Sequence, residues 1–286
     1  EMCIRDSYKF KNGNKMRRYS EILTDKDLGF ITNILLPHYK DPERLIAILR
    51  QDEDILEGML KDQKLFNFLI KEKDLPIKVS PQLFFLILLI KVKEDFQGKS
   101  FTIEKFQRQN MVIFDSKDVV ELLNNKDILI YLANMLSSFV KINSYSVLIR
   151  LRKGIWRRYR FSDFDIKSLI RYSEMVDEEM RFSSYKRIGD ICLFISGVFP
   201  EYISEDYKHL FKTHLKVEII SQLSREGYIR HGEYYYKKAA QLRAAQKSDL
   251  AEILEKLSEN FTTATKPLSH MSNQYLGLVK TTYFFQ

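Results

Sequence analysis

Apolar positions recur at helical spacing along most of the chain. Thr24-Asp25-Lys26-Asp27 opens one helix in the manner of a capping box, with Leu28, Ile31 and Leu35 on one stripe and Pro37 closing it. Asp41-Pro42 opens the next, an N-cap followed by proline at the first helical position, with Leu45, Ile48 and Leu49 as its apolar face. Ile55, Leu56, Met59 and Leu60 give a third stripe, and Leu65, Phe66, Leu69 and Ile70 a fourth. Ser80-Pro81 starts a helix to about Phe96 that is apolar nearly all round, which places it in the middle of a bundle. Gly98 ends it. Ser116 caps another helix, and one more runs from about Lys126 to Val140. In the C-terminal half, helices are expected over about 165–175, 177–198, 217–243, 248–263 and 268–278.

Two stretches break the period. Phe101–Phe106 and Met111–Phe114 are short β-like runs, compatible with a small hairpin. Val147–Arg152 and Ile155–Phe161 are rich in branched and aromatic residues around Lys153-Gly154, a hairpin signal. The pattern therefore predicts a mainly α fold: a multi-helix bundle with one central basic β-hairpin and room for a second short one. The expected organisation is an N-terminus of 1–23 outside the fold, a helical region of 24–143, a hairpin of 144–162 and a helical region of 163–286. The two helical regions are expected to pack as one unit.

The second half of the most distinctive helix begins at Arg187-Ile188-Gly189-Asp190, continues through Leu193-Phe194 and Gly197, and stops at Phe199-Pro200-Glu201. Gly189, Leu193 and Gly197 fall four apart. Each glycine costs a helix interior about 1 kcal/mol relative to alanine, so a pair on one stripe points to a close helix neighbour. Asp190 lies in an apolar setting and needs a partner, such as Arg187 or a backbone donor. With Phe161-Ser162-Asp163 and Tyr185-Lys186, this motif resembles a helical prokaryotic family across about residues 24–240. The resemblance implies a cytoplasmic prokaryotic origin and carries no activity, so it assigns no functional residue. Residues 1–7 resemble a translated sequencing-adapter read-through and are set aside.

Composition narrows the choices. Of 286 residues, 45% are hydrophobic and 29% charged, a globular balance. Two cysteines, Cys3 and Cys192, are too few for a disulfide framework or a cysteine-based metal site. The longest apolar run, Leu83–Ile90, falls well short of the roughly 20 residues that span a bilayer. Glycine-rich phosphate loops, H-E-x-x-H and G-x-S-x-G are absent from the sequence. His209 and His214 are five apart, a poor spacing for two ligands on one helix face. No cofactor or metal is expected. Asp190 and Glu201 are candidates for acid–base work, although internal pairing is the commoner use of such carboxylates. Cys192 sits among apolar residues, where a thiol is inert.

Charge supplies the strongest functional signal. The net charge is +8, and six cations lie without an acid between Arg150 and Arg160: Arg150, Arg152, Lys153, Arg157, Arg158 and Arg160. Taking 6 from 8 leaves only +2 for the rest. A turn at Lys153-Gly154 would set Leu151 opposite Trp156 and Arg150 opposite Arg157. Opposed arginines repel unless an anion lies between them, and Tyr159 beside them suits base stacking. The sequence therefore predicts a non-catalytic accessory or regulatory protein that contacts nucleic acid through Arg150, Arg152, Lys153, Arg157, Arg158, Tyr159 and Arg160. The alternatives are a scaffold that binds an acidic protein surface, or an enzyme of undefined class. Gly189, Asp190, Phe194, Gly197 and Pro200 are expected to be architectural.

Overall fold

A computed structural model describes residues 18–71, 79–98, 102–106, 109–113, 116–141, 144–152, 154–162, 164–203, 223–277 and 280–284. For the strands, Ile155 excepted, and for residues 202, 281 and 282, this covers the backbone only. The N-terminal helices are α1 (Tyr19–Ile22), α2 (Asp25–Leu35), α3 (Pro42–Gln51), α4 (Glu53–Leu60), α5 (Gln63–Lys71) and α6 (Pro81–Gln97). After strands β1 (Thr102–Phe106) and β2 (Gln109–Ile113) come α7 (Ser116–Asn124) and α8 (Lys126–Ser138). Strands β3 (Ser144–Arg152) and β4 (Ile155–Ser162) precede α9 (Ile166–Met175) and α10 (Glu178–Val198), which a 3-10 turn (Pro200–Ile203) ends. The remainder is α11 (Arg225–Ala240), α12 (Arg243–Lys247), α13 (Ala251–Glu259), α14 (Phe261–Met271), a π-helical turn (Ser272–Leu276) and α15 (Lys280–Tyr283).

Caps written in the sequence set most helix starts. Thr24 and Asp27 form the expected capping box, the Asp27 carboxylate accepting from Thr24 N–H at 3.1 Å and O–H at 2.7 Å. The same carboxylate accepts from the Ser80 N–H and O–H, both at 2.9 Å. Ser80, 53 residues from Asp27, in turn caps α6, so one buried aspartate joins two helix N-termini. Asp41 caps α3 ahead of Pro42, and Asp177 caps α10 by accepting from Met180 N–H at 3.0 Å.

Two helices form the centre. Every residue of α6 from Leu83 to Ile90 is buried, and so is every residue of α10 from Ile188 to Val198. Helices α9, α11 and α14 pack on α10, while α8, α7 and α14 pack on α6. Phe194 of α10 is the aromatic hub. It stacks on Phe139 at 4.1 Å between centroids and meets Phe164, Phe199 and Phe284 edge-on. Phe284 stacks in turn on Phe85 of α6, at 5.2 Å, and so bridges the two central helices.

The expectation of a central β-hairpin is corrected. Helices make up 82% of the interpretable structure, and the centre is helical. Segment 144–162 runs as a two-stranded antiparallel ladder, and α9, which follows it directly, is its main neighbour in the helical body. The expected register also fails. Arg152 pairs with Ile155 around the turn, where Gly154 has φ of 80°, but a bulge between Arg150 and Arg152 shifts the rest by one residue. Arg150 therefore stands opposite Trp156, and Ile149 opposite Arg157. One inserted residue is enough to move every later pair, so no two arginines stand opposite each other in the ladder.

Other boundaries move as well. Residues 19–22 belong to the fold, with Tyr19 and Ser20 buried, because Glu53 accepts both their backbone N–H groups. The helix expected over 248–263 breaks at Asn260 into α13 and α14, and α14 absorbs the start of the one expected at 268–278. The described part of the helix expected at 217–243 starts at Arg225, where Ser224 caps it by accepting from Gly227 N–H.

Candidate functional site

The distinctive motif is built as a packing joint. An ideal Cβ on Gly189 would lie 2.5 Å from Tyr236 Cε1 and 2.9 Å from its Cγ, so the α11 tyrosine ring occupies the space a side chain would need. At Gly197 a Cβ would meet Leu268 Cβ at 2.6 Å, which seats α14 on the same helix. Gly232 of α11 makes a third such contact, with the ring of Phe261. Pro200 directly follows the Phe199 C-cap, where proline cannot extend the helix hydrogen bonding.

Asp190 is fully buried, and three donors surround it. Tyr131 O–H donates at 2.6 Å and Tyr236 O–H at 2.9 Å to one oxygen, and Lys186 Nζ reaches the other at 2.8 Å. The partner is therefore Lys186, not Arg187. Arg187 instead donates to Ser138 Oγ at 2.6 Å and lies over the Phe139 ring. Burial, and then the charge of Asp190, hold the Tyr236 phenol far above its ordinary range, so it stays a proton donor. Both carboxylate oxygens are occupied by internal donors, and Asp190 itself is wholly shielded from solvent. Such an arrangement fixes α8, α10 and α11 against one another and offers no face to a substrate. The buried Cys192 thiol is likewise pushed up, by burial and then by Asp190, which keeps it protonated and unreactive.

Glu201, the other carboxylate of the motif, pairs with Lys280 Nζ at 2.5 Å. That ammonium also donates to Val198 O at 3.0 Å and Ser272 Oγ at 3.2 Å, and lies over the Phe199 ring. It thus neutralises the carbonyl end of α10 and ties the C-terminal residues to it.

A cluster not anticipated from sequence joins α6 to the π-helical turn. His270 Nε2 lies 2.9 Å from Asp95 Oδ2, and Tyr275 O–H donates to the same oxygen. Burial and the Asp95 bond push the Tyr275 phenol up. His270 and Asp95 are 175 residues apart, and no local pattern links them. Among the described residues no group of three or more His, Cys, Asp or Glu side chains could hold a metal ion. His209 and His214 lie outside the described residues.

For the basic segment the backbone register stands as given above. The side chains of Arg150, Arg152, Arg157, Arg158, Tyr159 and Arg160 lie outside the described residues, as does Lys153. No described helix is long and apolar enough to cross a membrane. No family model, curated protein or solved structure matches the chain. The likeness of the Gly189–Pro200 motif to a prokaryotic family is therefore without further support, and helix packing accounts for the motif's glycines and its aspartate.

Proposed function

We propose that this protein is a non-catalytic binding protein whose basic segment, Arg150–Arg160, contacts the phosphate backbone of a nucleic acid. The observation that carries the reading is the concentration of charge: six cations and no acid in eleven residues of a chain that is otherwise nearly balanced. Two structural facts favour binding over catalysis. The buried carboxylate of the distinctive motif is satisfied by its own tyrosines and lysine, and the buried thiol is held protonated. The test compares full-length wild type with an Arg150→Ala/Arg152→Ala/Arg157→Ala variant for binding to labelled DNA and RNA at low salt. Weaker binding by the variant across unrelated sequences supports the reading, and equal binding ends it.

A second reading, a helical scaffold for a protein partner, is favoured by an open groove of about 500 Å³ between α2 and α5. Ile34, Pro37 and Phe68 line it together with Lys64 and Lys71, and Leu36 and Ile70 are exposed on the same two helices or just beyond them. Pull-down of a protein partner that is lost with Phe68→Asp, and indifferent to the arginine triple variant, would favour this reading.

A further inference from the structure

Three consecutive tyrosines on α11 meet three environments. Tyr236 is fully buried on Gly189, and Tyr235 is half-buried against Tyr185 and His231, with centroids 5.3 and 6.3 Å away. Tyr234 is 55% exposed. Its ring is braced edge-on by Tyr235 at 5.1 Å and 89°, and Lys238 Nζ lies 5.6 Å from its centroid. Arg230, Tyr234, Lys237, Lys238 and Gln241 are all exposed and share one helix face, opposite the buried Tyr228, Gly232, Tyr236 and Ala239. From Tyr234 to Ser248 the chain carries four cations, Lys237, Lys238, Arg243 and Lys247, and no acid. Among the described residues Arg230, Lys237 and Lys238 form no ion pair. The nearby carboxylates are Glu226 and Glu233 on α11 itself, Glu174 of α9 beside Tyr235, and Glu178 of α10, which accepts from the Arg243 N–H.

We infer that this face of α11 is a stacking platform for the unpaired bases of a single-stranded nucleic acid. Tyr234 supplies a ring already held in place by its neighbour, so little side-chain freedom is lost when a base covers it. Lys237, Lys238 and Arg230 neutralise the flanking phosphates. A ring on a convex helix face has no access to bases stacked inside a duplex, whereas a single strand can turn its bases out onto it. This inference goes beyond the proposed function and rests on different residues.

The test is fluorescence polarisation of the full chain with a labelled 16-nucleotide oligo-dT and with a duplex of the same length. Tyr234→Ala should weaken single-strand binding about tenfold, and Tyr234→Phe should stay within about twofold of wild type because the ring remains. Duplex binding should be the same for all three proteins within about twofold. Tyr234 is exposed, so unchanged circular dichroism is expected and establishes that each variant is folded. The inference is overturned if wild type binds no single strand, if Tyr234→Ala binds it as wild type does, or if single strand and duplex weaken equally. A poly-glutamate peptide that binds as tightly and with the same Tyr234 dependence also overturns it, by assigning the face to an acidic protein. The same titration on the Arg150/Arg152/Arg157 variant separates the two sites. Loss there with an inert Tyr234 sinks this inference and spares the proposed function, and the reverse pattern does the opposite.

Discussion

Replacing Gly189 by alanine sets two effects against each other in one residue. In an exposed helix the change would stabilise by about 1 kcal/mol through helix propensity alone. Here the new Cβ would lie 2.5 Å from Tyr236 Cε1, where about 3.5–4.0 Å is comfortable, so the ring must retreat by about 1 Å. Tyr236 is fully buried, so the ring cannot swing into solvent. Its hydroxyl is 2.9 Å from Asp190, and a retreat of that size breaks the bond. Overpacking costs about 1–3 kcal/mol, and losing a hydrogen bond to a charged group about 1.5–3 kcal/mol. After the propensity gain, a net loss of about 1.5–5 kcal/mol is expected. The assay is urea unfolding followed by far-ultraviolet circular dichroism. Gly29→Ala and Gly58→Ala serve as controls on the propensity term. A Cβ at Gly29 meets only Ile46 Cδ1, at 3.8 Å, and at Gly58 nothing within 4 Å, so both should stabilise by up to about 1 kcal/mol. In a Tyr236→Leu background the alanine penalty should shrink, because the obstructing ring is gone. A Gly189→Ala midpoint at or above that of wild type would refute the packing argument.

Three further outcomes are expected. Asp190→Ala leaves Lys186 and two buried hydroxyls without their shared acceptor and should cost about 3–5 kcal/mol by the same urea assay, whereas Asp190→Asn, which keeps an acceptor, should cost less. Ser196 Oγ is buried without a hydrogen-bond partner among the described residues, so Ser196→Ala should raise the unfolding midpoint, by about 1 kcal/mol in stability. At Glu53, burial acts to raise the carboxyl pKa, but the Lys126 hydrogen bond, the Tyr19 and Ser20 N–H groups and the Lys126 charge outweigh it and hold the pKa low. A depressed folded-state pKa contributes stability above the ordinary glutamate range that is lost as pH falls through the folded value. The wild type should therefore lose more stability than Glu53→Gln between neutral pH and pH 3, and parallel curves for the two proteins would count against this assignment.

What could be read from the sequence followed the range of each interaction. Caps act within three or four residues, and the starts of α2, α3 and α6 were visible in Thr24-Asp27, Asp41-Pro42 and Ser80-Pro81. The close approach at Gly189 was also legible, because two glycines on one helix stripe need a reason. The identity of the ring it meets was not, since Tyr236 lies 47 positions away. Asp190 had its expected need for a partner, but choosing Lys186 over Arg187 depended on where Ser138 and Phe139 stood. The Arg150–Arg152 bulge was invisible because nothing in a run of branched and basic residues marks an unpaired position. Tyr234 and Tyr236 are the same residue type two positions apart, and only helix geometry makes the one exposed and the other buried.

The central functional claim, that Arg150, Arg152 and Arg157 contact phosphates, is tested most directly by the salt dependence of binding. Full-length wild type and the triple alanine variant are titrated with one labelled duplex over a series of salt concentrations, and log K is plotted against log salt. Each phosphate neutralised by a cation contributes a slope of about −0.9 on duplex DNA, so three lost contacts should flatten the variant's slope by about 2.7. The same flattening is expected on a second duplex of unrelated sequence. Equal slopes and equal affinities for the two proteins would contradict the claim.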